Sequence, residues 1–210
     1  MSGLLIQLQG LQRPYLTTPE LDLLIDGSTD SRYGKIKRLL EKGRLLHIRR
    51  GLYCTTDITN SNKPHPFELA QYIYGPSYIS FESALAYHQL IPEAVYATTS
   101  ACCKRSKEFH TPLGVFSYLH LPTIDFYTQV ELVNENNYHF FMATPWKAIC
   151  DYIFCYKKNW GNLDPLISSL RIDPEELPKL TDKKIELLDD YYKNKKISLF
   201  LRNVHREFSS

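Results

Sequence analysis

The chain has 210 residues, 43% hydrophobic and 23% charged, the balance of an ordinary globular protein, which excludes a disordered or fibrous one. A formal net charge of +2 is too small to argue for a polyanionic partner by itself. The charge is unevenly placed, however: residues 1–54 hold nine Lys and Arg against five Asp and Glu, a surplus of four, which leaves the remaining 156 residues at −2. A basic patch on a nearly neutral chain is the informative case.

In chain order, Leu4, Leu5, Leu8 and Leu11 recur at helical spacing and predict a short amphipathic helix over residues 2–11, ended by Arg13-Pro14-Tyr15. A second helix is expected from an N-cap at Thr18 with Pro19 in its first turn, stopped by Asp26-Gly27. Ser28, Thr29 or Asp30 caps a third helix running to about Lys42, with Gly43 just past its end. "RLLHI" and "GLYC" then read as two strands around Arg49-Arg50-Gly51, a turn whose glycine takes positive φ. Helix, helix, helix, hairpin is the order of a winged helix-turn-helix. The expected class is therefore α+β: a winged helix-turn-helix over residues 1–56, a polar linker over 57–64, and a mixed α/β domain with a helical tail over 65–210.

Beyond the linker, 66–75 and 79–91 read as helices, the second capped by Ser80, and 94–101 and 113–120 as strands. "CCKRSKEFHTP" reads as a solvated basic connection between those strands. "DFYTQVELV" and "YHFFMA" are further strand candidates, "PWKAICDYIF" is a helix opened by Thr144-Pro145, and the chain from Asp164 onward is helical. The five cysteines (Cys54, Cys102, Cys103, Cys150, Cys155) are an odd number without a CxxC pair, and the N-terminus lacks a basic segment followed by a long apolar run. The expectation is reduced thiols in a soluble cytoplasmic protein with no membrane partner.

The third helix carries the chemistry. At 100° per residue, Ile36, Leu39 and Leu40 form one stripe, while Ser31, Gly34, Lys35, Arg38, Glu41 and Lys42 fall on the opposite side. A helix that enters the major groove of double-stranded DNA needs this division between a packed stripe and a basic outer face. Gly34 lets the backbone come close to the ligand, at about 1 kcal/mol of helix propensity. Arg38 is the candidate base reader, because a guanidinium bonds a guanine edge at two points. Lys35 and Lys42 suit phosphates, and Arg49 and Arg50 suit flanking phosphates or a narrow minor groove. The plainer alternative is a solvated basic helix used for protein contacts.

Signals for catalysis are absent or poor. No HExxH, GxSxG or phosphate-binding glycine loop occurs, Glu82 and His88 lie on different helix faces, and no lysine follows Asp125, Glu131 and Glu135 at nuclease spacing. Lys104 and Arg105 beside Cys102 and Cys103 raise the question of a lowered thiol pKa, without a local histidine to act as base. No enzyme activity, metal or cofactor is expected.

"RLLEKGRLLHIRRGLY", "HPFELAQYIYGPSYISFESALAYHQLIPE", "TTSA", "TPLGVFSYLHLP" and "MATPWKAICDYI", taken together, resemble the AbiEi antitoxins of bacterial abortive-infection systems. The resemblance spans about residues 17 to 155, and "SFESALAYHQLI" and "ATPWKAICDYI" are its more specific blocks. It implies an N-terminal winged helix that binds inverted repeats in the operon's own promoter and represses it. It also implies a C-terminal domain that counters a nucleotidyltransferase-like AbiEii toxin, with or without a stable complex. The operator-reading positions it implies are Ser31, Lys35, Arg38 and Lys42, with the wing at Arg49 to Tyr53. Tyr33-Gly34 departs from relatives that carry Ser, Arg or Thr there, so the operator sequence is not implied. A solitary winged-helix regulator, or a protein-interaction module with no toxin partner, is the alternative.

Overall fold

A computed structural model describes residues 14–56, 64–93, 95–121 and 125–208. The helix expected over 2–11 and most of the linker expected over 57–64 lie outside these residues. The described chain is α+β, with two sheets and eight α-helices.

The first part runs β1 (Tyr15–Thr17), α1 (Thr18–Leu24), α2 (Thr29–Glu41), β2 (Leu45–Arg49) and β3 (Leu52–Thr55). Both helices and the hairpin fall where the periodicity places them; β1 was not foreseen. Three residues carry too short a pattern to read as a strand, yet Tyr15, Leu16 and Thr17 pair antiparallel with Cys54, Tyr53 and Leu52. The resulting sheet has the order β1-β3-β2. Thr17, not Thr18, is the N-cap of α1, and the Glu20 carboxylate accepts from both its backbone N–H and its hydroxyl at 2.7 Å. Ser28 caps α2 through its hydroxyl, and Gly43 (φ +62°) and Gly51 (φ +80°) take the left-handed conformations expected of them.

This small sheet is buried on both faces. Leu16 and Leu45 pack with Leu21, Ile25, Ile36 and Leu39 under the two helices. On the other side Tyr15, Ile48, Leu52 and Cys54 join the core of the rest of the chain. The Tyr15 hydroxyl accepts from the His65 N–H (2.7 Å) and donates to the His65 carbonyl (3.1 Å), and the Tyr15 ring lies 5.2 Å from that of Tyr72. Residues 14–56 therefore sit on the rest of the chain through a packed, hydrogen-bonded face.

The second part continues with α3 (Pro66–Ile73), β4 (Ser77–Ile79), α4 (Phe81–Tyr87), β5 (Ala97–Cys102), β6 (Lys107–Thr111), β7 (Gly114–His120), β8 (Val130–Glu135), β9 (Tyr138–Ala143) and α5 (Pro145–Cys155). The tail adds α6 (Asp164–Leu170), a 3-10 turn at Pro174–Glu176, α7 (Asp182–Tyr192) and α8 (Lys195–Glu207). Six strands form a mixed sheet in the order β6-β7-β5-β4-β9-β8, with β5 parallel to β7 and β4 parallel to β9. Three expectations are corrected. The helix read over 79–91 is only α4, preceded by the short central strand β4. The basic connection read over 102–112 contains β6, an edge strand whose single apolar residue, Phe109, pairs with Phe116; a polar edge strand has too little alternation to announce itself. The strand read over 125–133 begins only at Val130.

One buried polar cluster ties these layers together. Lys147 and Asp151, one turn apart on α5, are both 0% exposed and meet at 2.5 Å. The Lys147 ammonium also donates to the hydroxyls of Tyr78 on β4 (2.7 Å) and Tyr192 at the end of α7 (2.9 Å). Asp151 accepts in addition from Tyr78 (3.0 Å), Ser80 (2.7 Å) and Tyr192. Burial, then the Asp151 carboxylate, pushes both phenols far above the ordinary tyrosine range, so they stay protonated donors. All three ammonium protons and both carboxylate oxygens have partners, the condition under which a buried ion pair is tolerated. Ser80 occupies the N-cap position of α4 as expected, but its hydroxyl serves Asp151 and makes no cap bond.

Candidate nucleic-acid interface

The predicted basic face forms as a surface, but its members do different things. Ile36 and Leu39 are buried and Leu40 half-buried, which fixes the rotation of α2. Ser31, Arg38 and Lys42 are then exposed on the outer side. Among the described residues the Arg38, Lys42 and Arg50 side chains have no ion-pair partner. Lys37 meets Glu41 at 3.9 Å, an exposed pair one turn apart and worth little in water.

Two cations turn inward instead. Arg32 Nε donates to the Ile25 carbonyl (2.9 Å) and Lys35 Nζ to the Asp26 carbonyl (2.7 Å). These carbonyls close the C-terminal end of α1, where backbone oxygens lack intrahelical donors and the dipole favours positive charge. Lys35, expected at phosphates, is half-buried and holds the turn between the helices. Gly34 lies at the centre of the outer face, and a Cβ built there meets nothing within 4 Å. The open backbone leaves α2 a flat stretch between Ser31 and Arg38. Tyr33, the other half of the Tyr33-Gly34 departure, is 71% exposed at the flank of this face.

At the hairpin the two arginines also part. Arg50 is exposed at the tip. Arg49 is half-buried, and its guanidinium donates to the carbonyls of Arg50 (3.3 Å) and Tyr72 (3.2 Å).

The second basic cluster lies next to this hairpin. Tyr74, two residues beyond the Arg49 contact, donates its hydroxyl to the Arg105 carbonyl at 3.2 Å. Lys104 sits 5.3 Å from the Tyr74 ring centre and Lys107 4.8 Å from that of Phe109. The Tyr74, Phe109 and Tyr118 rings pack together beneath them. Exposed Lys104, Arg105 and Lys107 thus stand on an aromatic floor beside the hairpin, with Glu108 engaged by His110 at 2.8 Å. Fifty-three residues lie between Arg50 and Lys104 in sequence, so the docking of the hairpin on α3 brings the clusters together.

The other residues weighed for chemistry go elsewhere. Burial raises the Cys102 and Cys103 thiols, with Lys104 opposing the rise only in part, so the basic neighbours do not create a thiolate. Burial likewise lifts Cys54 and Cys155 to about 12. His88 Nε2 contacts the Ala143 carbonyl at 2.8 Å. Among the described residues no group of three or more His, Cys, Asp and Glu side chains is placed to hold a metal ion. No described helix is long and apolar enough to cross a membrane. The Lys147–Asp151 cluster, an ionic pair on which three hydroxyls converge, is marked in the sequence only by Lys and Asp four apart inside "PWKAICDYIF". No protein-family model matches the chain, and no curated protein matches it.

Proposed function

We propose that residues 14–56 belong to a winged helix-turn-helix, with α2 the recognition helix and the β2–β3 hairpin the wing, and that the protein binds double-stranded DNA through them. One observation carries this reading: α2 presents exposed Ser31, Arg38 and Lys42 around an open Gly34, with exposed Arg50 at the neighbouring wing tip. A groove-entering helix and a phosphate-touching wing need that combination. Lys104, Arg105 and Lys107 lengthen the basic surface beyond the wing. The resemblance to AbiEi antitoxins supplies the purpose: repression of its own promoter through inverted repeats, and protection against an AbiEii-type nucleotidyltransferase-like toxin. The protein acts as a binder and not as an enzyme.

The test is a footprint of the full chain on the DNA upstream of its own gene, paired with growth of cells that co-express a toxin encoded beside it. Protection of an inverted repeat and rescue of growth support both halves. Binding without rescue leaves a solitary regulator, and neither outcome leaves a protein-interaction module. Gly34→Ala separates fold from function. The added methyl has open space, so the helix should gain about 1 kcal/mol in stability. Operator affinity should fall, because the methyl stands where the DNA approaches. Affinity unchanged in a calorimetric titration would show that α2 does not approach DNA along Gly34.

A further inference from the structure

We infer that Arg49 is a positioning residue that clamps the wing to the end of α3, and that Arg50 alone carries the wing's contact with DNA; this rests on the DNA-binding reading above. The two arginines are adjacent and indistinguishable in sequence. Their surroundings differ. One guanidinium edge of Arg49 reaches the Arg50 carbonyl within the wing turn at 3.3 Å, and another the Tyr72 carbonyl at 3.2 Å. Tyr72 belongs to the last turn of α3, whose carbonyls have no helical donor and carry the negative end of the dipole. A single planar group therefore joins two backbone segments that are 23 residues apart in sequence.

The surroundings of Arg49 suit a structural cation. Its side chain is half-buried, and its charge opposes the burial-driven rise of the Tyr118 phenol. Ile48 and Leu52, on either side of the turn, are buried in the core shared with α3. The wing is thus held by apolar packing at its base and by Arg49 near its tip. Removing Arg49 frees the tip while leaving the base docked. Lysine does not replace it, since an ammonium on a flexible stem is a point charge and not a two-edged fork. A rigid wing matters for binding because a flexible one would lose its freedom on the duplex, and that entropy opposes association.

The test compares Arg49→Gln, Arg49→Lys and Arg50→Gln in the full chain. Two readouts are used: amide hydrogen exchange of the free protein, and salt-dependent binding to the DNA upstream of its gene. The clamp predicts faster exchange at residues 49–52 and 72–74 in both Arg49 variants and not in Arg50→Gln. For binding, each phosphate contact contributes about 0.9 to the slope of log K against log salt. Arg50→Gln should lower that slope by about 0.9. Arg49→Gln should weaken binding at every salt concentration with the slope unchanged, and Arg49→Lys should fail to restore it. A slope loss in Arg49→Gln that Arg49→Lys recovers, with exchange unaltered, overturns the assignment and makes Arg49 a phosphate contact. If the wild-type chain binds no duplex, the DNA-binding reading falls, while the exchange data still decide for or against the clamp.

Discussion

Lys147→Met is expected to destabilise the protein by about 3–5 kcal/mol, the cost of leaving a buried charge without its partner. Among the described residues the ammonium is the only cation paired with Asp151, and both side chains are fully buried. The hydroxyls of Tyr78, Ser80 and Tyr192 would still solvate the carboxylate but would not neutralise it. Against a total stability of about 5–15 kcal/mol, such a loss takes much of the margin. Lys147→Met combined with Asp151→Leu should recover a large part of it, because apolar replacement of a whole buried pair is often neutral. Tyr192→Phe should cost about 1–3 kcal/mol, since it leaves both charges short of one hydrogen bond at the joint between α7 and α5. Urea unfolding with an unchanged m-value measures all three. A Lys147→Met variant within 1 kcal/mol of the wild type would contradict the burial of a charged pair at this place.

Arg38→Ala should do the reverse: leave the fold alone and damage recognition. Its side chain is exposed, so the change in stability should stay within about 0.5 kcal/mol. If Arg38 bonds a base edge, the loss at the operator is about 1–3 kcal/mol, roughly 5- to 150-fold in affinity. Binding to unrelated duplex should weaken much less, since that affinity comes from phosphates. Competition between operator and random DNA reads the difference. Equal losses on both would demote Arg38 to a phosphate contact, and no loss on either would remove α2 from the interface.

The sequence and the structure agree best where a pattern is long. The apolar stripe of α2 and the Arg49–Gly51 turn were legible because periodicity, a cap and glycines pointed the same way, α5 because Thr144-Pro145 opens an apolar face, and α7 and α8 because both are amphipathic. β1 and β4 were not, since three residues carry no period and their identity comes from strands elsewhere in the chain. β6 was hidden by its polar edge. At the candidate site the split between a packed and an outer face of α2 could be read directly. The division of labour among the cations could not. Lys35 and Arg49 look like Lys42 and Arg50 until the carbonyls of Asp26 and Tyr72 are placed beside them. Those carbonyls belong to helix ends, and no spacing of basic residues reveals where a helix end will lie. Likewise Lys104, Arg105 and Lys107 gain meaning only because the hairpin packs on α3 and Tyr74 holds their turn.

The central claim is that α2 and the wing tip form a surface for the DNA backbone and grooves. Its most direct measurement is the salt dependence of duplex binding by the full chain, wild type against the Arg38→Ala/Arg50→Ala double variant. For the wild type log K should fall steeply and linearly with log salt. For the double variant the slope should be shallower by at least about 0.9, with thermal stability unchanged. Superimposable titrations for the two proteins, or a wild-type affinity indifferent to salt, would contradict it.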